Sequence, residues 1–280
     1  MSATATGTTD TAATANTDTA ATANTDTAAT ANTDTDTDTA GHRLVTTLTR
    51  RVDGLDWLQV SDDLDEVGVA PSGPLLGPGE CGALVGLYDE VDRFRSTVDM
   101  ARHRFGRGQY RYFARPLPAA VTELRAAFWP HMLPIAREWA ARRGQPAPWP
   151  DDFGDWLDRC HRAGQRHPTP LMLRYGPGDW NALHRDLYGE LAFPLQVVIG
   201  LDRPGVDFSG GEFVVVEQRA RAQSRATAVA IPQGHGLVFA VRDRPVRTTR
   251  GWANGPLRHG VSTVRSGRRH ALGLVFHDTA

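Results

Sequence analysis

Lysine is absent from this chain of 280 residues, and all 31 basic residues are arginine. Every side-chain cation other than histidine is therefore a guanidinium, the group suited to bidentate contact with carboxylate or phosphate. Cysteine is nearly absent, with Cys81 and Cys160 far apart and outside any Cys-x-x-Cys. Two such residues exclude a disulfide framework and predict reduced thiols. No run of eighteen apolar residues occurs, which excludes a helical membrane span, and no basic stretch leading into an apolar one marks a signal peptide. Together these absences predict a cytoplasmic protein with no membrane partner. Leucine, isoleucine, valine and every aromatic are missing before Leu44. That stretch instead repeats Thr-Asp-Thr-Ala-Ala-Thr-Ala-Asn at 9–16, 17–24 and 25–32, then decays into Thr-Asp pairs. Such a tract cannot bury enough apolar surface to offset the entropy of ordering, so residues 1–41 are predicted to be a disordered tail.

What remains is large enough for one large domain, or for a β core with a helical part packed on it. The tail holds six of the 32 acidic residues and none of the basic ones, so the body carries a net positive charge, compatible with a phosphate-bearing partner. From 42 to 169 the texture is mainly helical. Cys81, Leu84, Val85, Tyr88 and Val91 recur at helical steps within 80–94, and a second helix spans 118–143, where Pro130 and Pro134 predict a break or kink. A third covers about 152–164. Between them, Met100 to Arg115 interleaves arginines with aromatics, the mixture of nucleic-acid surfaces. From 170 to 280 the pattern changes to short apolar runs punctuated by Gly and Pro, at 171–175, 193–201, 212–217, 226–231, 236–241, 257–264 and 270–277. That spacing predicts a sandwich or jelly roll. The fold class is therefore α+β: a helical N-terminal part on a C-terminal jelly roll.

The chemistry centres on Tyr175-Gly-Pro-Gly-Asp-Trp-Asn-Ala-Leu-His184-Arg-Asp186. On a strand, residues i and i+2 share a face, so His184 and Asp186 can aim an imidazole and a carboxylate at one point. A third ligand has to come from elsewhere, and His259, on a later strand, is the candidate. Two His and one carboxylate with open positions suit a non-haem Fe(II) centre that activates oxygen. Arg269 follows His259 by ten residues across a Ser266-Gly267 turn, where it can hold a carboxylate bidentately. His235, in Gln-Gly-His-Gly, reads as a turn residue, and no arginine follows it at the same distance. Trp180, Asn181 and Arg185 flank the ligands and are candidate substrate contacts, as are Arg219, Arg221 and Arg225 after the Gly-Gly-Glu strand.

This pattern of His-x-Asp, Ser209-Gly-Gly-Glu-Phe and a distal His with Arg ten residues on resembles the 2-oxoglutarate/Fe(II)-dependent dioxygenases, with the spacing of the prolyl-hydroxylase-like branch. The resemblance implies a double-stranded β-helix over about 170–280, iron on His184, Asp186 and His259, the distal carboxylate of 2-oxoglutarate on Arg269, and Tyr175 lining that pocket. It also implies the reaction: O2 and 2-oxoglutarate consumed, succinate and carbon dioxide released, and a substrate hydroxylated. Over most of the body, Phe105-Gly-Arg-Gly-Gln-Tyr-Arg-Tyr-Phe, Phe193-Pro-Leu-Gln, Glu217-Gln-Arg and Arg258-His-Gly-Val-Ser are similar to a bacterial oxygenase family proposed to act on damaged nucleic acid. That likeness implies oxidative demethylation of a nucleobase. Two further readings stand beside it: hydroxylation of a protein side chain or small molecule, and a non-catalytic jelly-roll binding protein. The oligomeric state is not encoded in any pattern.

Overall fold

The computed structural model describes residues 47–186, 189–218 and 223–280. The tail expected at 1–41 and the candidates Arg219 and Arg221 lie outside them. The described residues open with helix α1 (47–53), followed by α2 (Trp57–Val67), strand β1 (Val69–Pro74) and α3 (Pro78–Leu87). The Asp56 carboxylate caps α2 by accepting the Gln59 N–H at 3.0 Å, and Gly68 ends it in the left-handed conformation at φ 78°. The apolar spacing of this stretch is short and mixed, and those two caps are the local signal for the helix. Strands β2 (Phe94–Asp99), β3 (Gly106–Arg107) and β4 (Gln109–Phe113) follow, where the arginine and aromatic residues alternate.

The long helix α4 spans Ala119–Arg142 without interruption, so Pro130 and Pro134 do not break it. The reason is their position. Ala126, Pro130, Pro134 and Glu138 are all exposed and form one stripe. Each proline leaves a carbonyl one turn back without its donor, and on this stripe water can take the place of the missing N–H. The opposite face buries Leu124, Phe128, Trp129, Met132, Leu133, Ala136 and Trp139, which holds the helix together through packing. Helix α5 (Phe153–Arg162) completes the helical layer.

The C-terminal part supplies β5 (Leu171–Tyr175), β6 (Trp180–His184), β7 (Leu195–Gly200), β8 (Phe208–Gly210), β9 (Phe213–Glu217), β10 (Arg225–Val229), β11 (His235–Ala240), β12 (Asp243–Thr248), β13 (Gly251–Val261), β14 (Val264–Gly267) and β15 (Arg269–Leu274). They form a larger sheet of order β1-β11-β7-β15-β5-β4-β2 and a smaller one of order β10-β9-β13-β6-β3, with β12 paired to β13. The segment expected to be mainly helical thus also contributes β1 to β4, and both sheets draw strands from either side of residue 170. The sheets face each other as a double-stranded β-helix; Phe213 of one and Phe239 of the other approach to 4.9 Å between ring centroids. On the outer face of the larger sheet, Trp129 packs on Phe193 at 4.7 Å and the Trp156 indole N–H donates to the Phe276 carbonyl at 2.7 Å. Strand β7 lies between helices and cavity, so all six of its residues are buried; that is why it reads as a continuous apolar run. The His235 position expected in a turn is the first residue of β11.

Candidate metal and co-substrate site

Strands β6 and β13 bring the two histidines together. They pair antiparallel with His259 opposite His184 and Val261 opposite Asn181, and the register slips between those pairs. The approach is close at Gly260, where a Cβ would lie 2.6 Å from the Asn181 carbonyl oxygen. The slip turns Asn181 toward the same interior as His184. His184 is the last residue of β6, and Asp186 lies beyond it. The expectation that one strand carries both is therefore corrected: the chain turns out of the sheet after His184, and the carboxylate arrives from that bend.

The three side chains still converge. Asp186 Oδ1 lies 3.3 Å from His184 Nε2, and Oδ2 lies 3.3 Å from His259 Nε2. One ligand atom from each residue falls within 4.8 Å of the others, a set that could hold a metal ion. The His184 Nδ1–H donates to the Ala182 carbonyl at 2.7 Å. That bond leaves Nε2 with its lone pair toward the Asp186 side, the tautomer a metal requires. The His259 ring is held between Phe213, stacked at 5.8 Å, and Phe239, tilted at 4.7 Å. Burial opposes ionisation of Asp186, yet the imidazoles of His259 and His184 hold its carboxyl well below the usual carboxylate range. Burial likewise works to keep both imidazoles neutral. It prevails at His259, whose pKa is lowered. At His184 the Asp186 carboxylate outweighs it, and the pKa is raised.

One cavity of about 280 Å³ contains this triad together with Phe105, Tyr110, Asn181, Arg185, Gln196 and Arg269 among its walls. Arg269 opens β15 directly opposite Tyr175 on β5. It is 3 % exposed. Its guanidinium carbon lies 5.5 Å from the centroid of the Tyr175 ring, and it makes no ion pair or hydrogen bond among the described residues. The two nearby carboxylates are occupied: Asp202 binds the His270 Nδ1 at 2.9 Å, and Glu212 accepts from the Ser262 hydroxyl. Burial pushes the Arg269 pKa down. A buried cation facing a cavity without a counter-charge is costly unless an anion joins it, and a dicarboxylate suits that position. The Gly-Gly-Glu motif explains the space. Gly211, at φ 68°, sits where a Cβ would come within 2.8 Å of Arg269 Cδ.

The other sequence candidates divide. Asn181 and Arg185 line the cavity, and Arg185 is anchored by donating its Nε–H to the Leu257 carbonyl at 3.0 Å. Trp180 is 40 % exposed and does not line it. Tyr175 is fully buried and lies under Arg269 rather than in the cavity wall. Arg225 starts β10, at the sheet edge. Tyr110, Gln196, Phe213 and Phe239 line the cavity and were not singled out as site residues from sequence; the first three lie in motifs quoted for the resemblance, but the inward face of each strand is unknown before the sheets are paired.

An imidazole, a carboxylate and a second imidazole beside open space suit ferrous iron in an oxygenase, and oxygenase is the class to which comparison assigns the chain. It belongs to the Oxygenase-NA family, described as oxygenase, catalysing oxidative methylation of damaged DNA, whose model matches residues 108–279. Uncharacterized proteins of Mycobacterium tuberculosis strains CDC 1551 and H37Rv are each 62 % identical over 168 residues, which is 60 % of this chain and 72 % of theirs. Among solved structures, a Pseudomonas putida prolyl-4-hydroxylase matches at 17 % identity and TM-score 0.48, over 78 % of this chain and 96 % of that one. An oxidoreductase of the 2OG-Fe(II) oxygenase family from Burkholderia pseudomallei matches at 19 % and 0.45, over 80 % and 93 %.

Proposed function

We propose that the chain is a 2-oxoglutarate- and Fe(II)-dependent dioxygenase that oxidises a modified base in nucleic acid. The observation that carries this reading is a His-Asp-His set in the walls of one cavity with a buried arginine that has no ion pair among the described residues. The family description supports the nucleic-acid substrate. In this reading His184, Asp186 and His259 hold iron, Arg269 grips the distal carboxylate of 2-oxoglutarate, and Tyr175 supports the guanidinium from below. Bound iron with 2-oxoglutarate and O2 supplies the oxidising chemistry that yields succinate, carbon dioxide and a hydroxylated substrate. The chain's own residues position and enclose. Ala182 fixes the His184 tautomer, Phe213 and Phe239 fix the His259 ring, and the apolar floor of Leu171, Leu173, Val198 and Ala271 limits water around the charged groups. Low local polarity strengthens the contact between Arg269 and a carboxylate.

Anaerobic titration with Fe(II) and 2-oxoglutarate tests the reading. His184→Ala is expected to abolish stoichiometric iron binding. Arg269→Ala is expected to keep iron but weaken 2-oxoglutarate by about 100-fold, the loss of one charge-assisted bidentate contact of roughly 3 kcal/mol. Unchanged iron binding in the first, or unchanged 2-oxoglutarate affinity in the second, overturns the assignment.

A further inference from the structure

The described walls hold a second concavity, a cleft of about 250 Å³ lined by Arg143, Trp149, Asp186, Pro194, Arg242 and Asp243 among others. Asp186 lines both the cleft and the cavity. The larger sheet continues from one into the other. Pro194 and Val241, each one residue beyond the end of β7 and β11, line the cleft, and Gln196 and Phe239, two residues further in, line the cavity. Residues two apart share a face. The rungs match as well: the Val241 N–H donates to the Pro194 carbonyl at 2.9 Å, and Phe239 stands opposite Gln196.

Arg269 lies toward the other end. Ala271 pairs with Gly200, so Gln196 stands six residues along the strand direction from Arg269, roughly 20 Å. The metal ligands are nearer to Gln196, because Phe239 contacts the His259 ring at 4.7 Å. A dicarboxylate stretched from the triad to Arg269 therefore leaves Gln196 and the cleft free.

Among the described residues, Gln196 carries an unpartnered amide nitrogen and the cleft carries a guanidinium outside any ion pair. Gln196 is 4 % exposed, and its side-chain Nε2 is buried with no hydrogen-bond partner among the described residues. A buried amide in that state is costly and calls for a ligand. In the cleft, Arg242 pairs with Asp243 at 2.6 Å. Arg143 donates its Nε–H to the Trp139 carbonyl at 3.0 Å, and its guanidinium makes no ion pair among the described residues. Two cations thus face one acid besides Asp186. The Trp149 indole is fixed beside them by donating to the Ala192 carbonyl at 3.0 Å.

We propose that this cleft is the primary-substrate subsite: a phosphate of a nucleic-acid strand sits on Arg143, and the adjoining base passes Asp186 so that its hydrogen-bonding edge meets Gln196. The inference rests on the nucleic-acid reading above and adds the side of approach and the reading group. A glutamine amide both donates and accepts, which matches a base edge presenting one of each. The arginine supplies affinity without sequence preference.

The test is equilibrium binding of a fluorescent single-stranded oligodeoxynucleotide carrying one N-methylated base to the full chain, over a range of salt. Wild type is expected to bind, with affinity falling as salt rises. Arg143→Gln is expected to bind about 10-fold more weakly and to lower the log–log salt slope by about 0.7, the value for one phosphate contact on a single strand. Gln196→Met is expected to bind about 10-fold more weakly with the slope unchanged, and the ligand-free variant is expected to melt no lower than wild type. A merely structural glutamine would lower the melting temperature instead. Retained 2-oxoglutarate affinity serves as the control for folding, and Arg242→Gln replaces Arg143→Gln if the latter does not fold. If wild type binds and the cleft variants bind equally well, the subsite is wrong while the nucleic-acid reading stands. Loss confined to Arg107→Gln, on β3 near the Phe105 side of the cavity, places the strand at the other mouth and also overturns the proposal. If wild type does not bind at low salt, the nucleic-acid reading fails and the subsite with it.

Discussion

At the scale of single residues, the molecule places charged and polar groups in the dry interior under two different regimes. Some are closed. Asp278, fully buried, takes contacts from Arg115, Arg125 and His161, and Glu217 binds Arg244 at 3.0 Å. Arg269 and the Gln196 amide nitrogen are open: they face a cavity and lack hydrogen-bond partners among the described residues. The contrast separates groups whose burial is already compensated from groups that await a ligand. His277 is buried as well, and the backbone fixes its protonation. Its Nδ1 accepts the Phe193 N–H at 3.2 Å, so the ring is neutral. Burial first, and the charge of Arg125 second, push its pKa down to about 4 from the ordinary 6.5. As pH falls below 6.5 the unfolded chain takes a proton that the folded one refuses. The stability associated with His277 is therefore complete above about 6.5 and declines until about 4, by about 3 kcal/mol. Urea unfolding at pH 7, 6 and 5 checks this. The decline is expected to flatten in His277→Gln relative to wild type, and an identical decline in both would remove His277 as its source.

At the scale of elements, α4 shows how packing overrides local propensity. Two prolines within its 24 residues would end an isolated helix. Here they share the solvent stripe with Ala126 and Glu138, so each forgone hydrogen bond faces water while the buried face stays intact. The forgone bonds still have a cost. Pro130→Ala and Pro134→Ala are each expected to stabilise the protein by about 1 to 2 kcal/mol, the helix-interior penalty of proline less its restriction of the unfolded chain. Denaturant midpoints check the sign, and a loss of stability in either variant would show that the proline ring packs where exposure says it does not. Strands β6 and β13 show the complementary case. Their register slip is a local irregularity, and it is what turns Asn181 and His184 into one interior.

At the scale of the whole molecule, the helices and the two sheets are joined through one apolar core. Trp129, Phe193 and Phe276 bridge α4 to the larger sheet, and the same sheet carries strands from before and after residue 170. A core shared in this way has no plane along which one layer could unfold alone. Tryptophan emission, dominated by Trp129, Trp139, Trp149 and Trp156 around the helical layer, and far-UV circular dichroism are expected to report one coincident transition. Two separated transitions would show that the helical part and the β part are independent. Among the described residues no helix is long and apolar enough to cross a membrane.

Much of this was legible in the sequence. That His184, Asp186, His259 and Arg269 belong around one cavity could be read from residue type and spacing, because metal ligation and carboxylate binding demand particular side chains. Most strands and the helical segments were identified because burial imposes a period on apolar residues. The sequence could not say which face of each strand turns inward. That depends on pairing, and a slip such as that between β6 and β13 reverses the face of every residue beyond it. Hence Trp180, next to Asn181, lies outside the cavity, while Tyr110 and Gln196 lie within it. Tyr175 was expected in the pocket wall and lies beneath Arg269, because the register of β5 against β15 places the two opposite each other. The prolines of α4 read as breaks because their effect depends on which side meets water. Side-chain chemistry and hydrophobic period are properties of the chain alone. Facing, register and the sharing of Asp186 between cavity and cleft are relations between distant segments, and only the packed structure decides them.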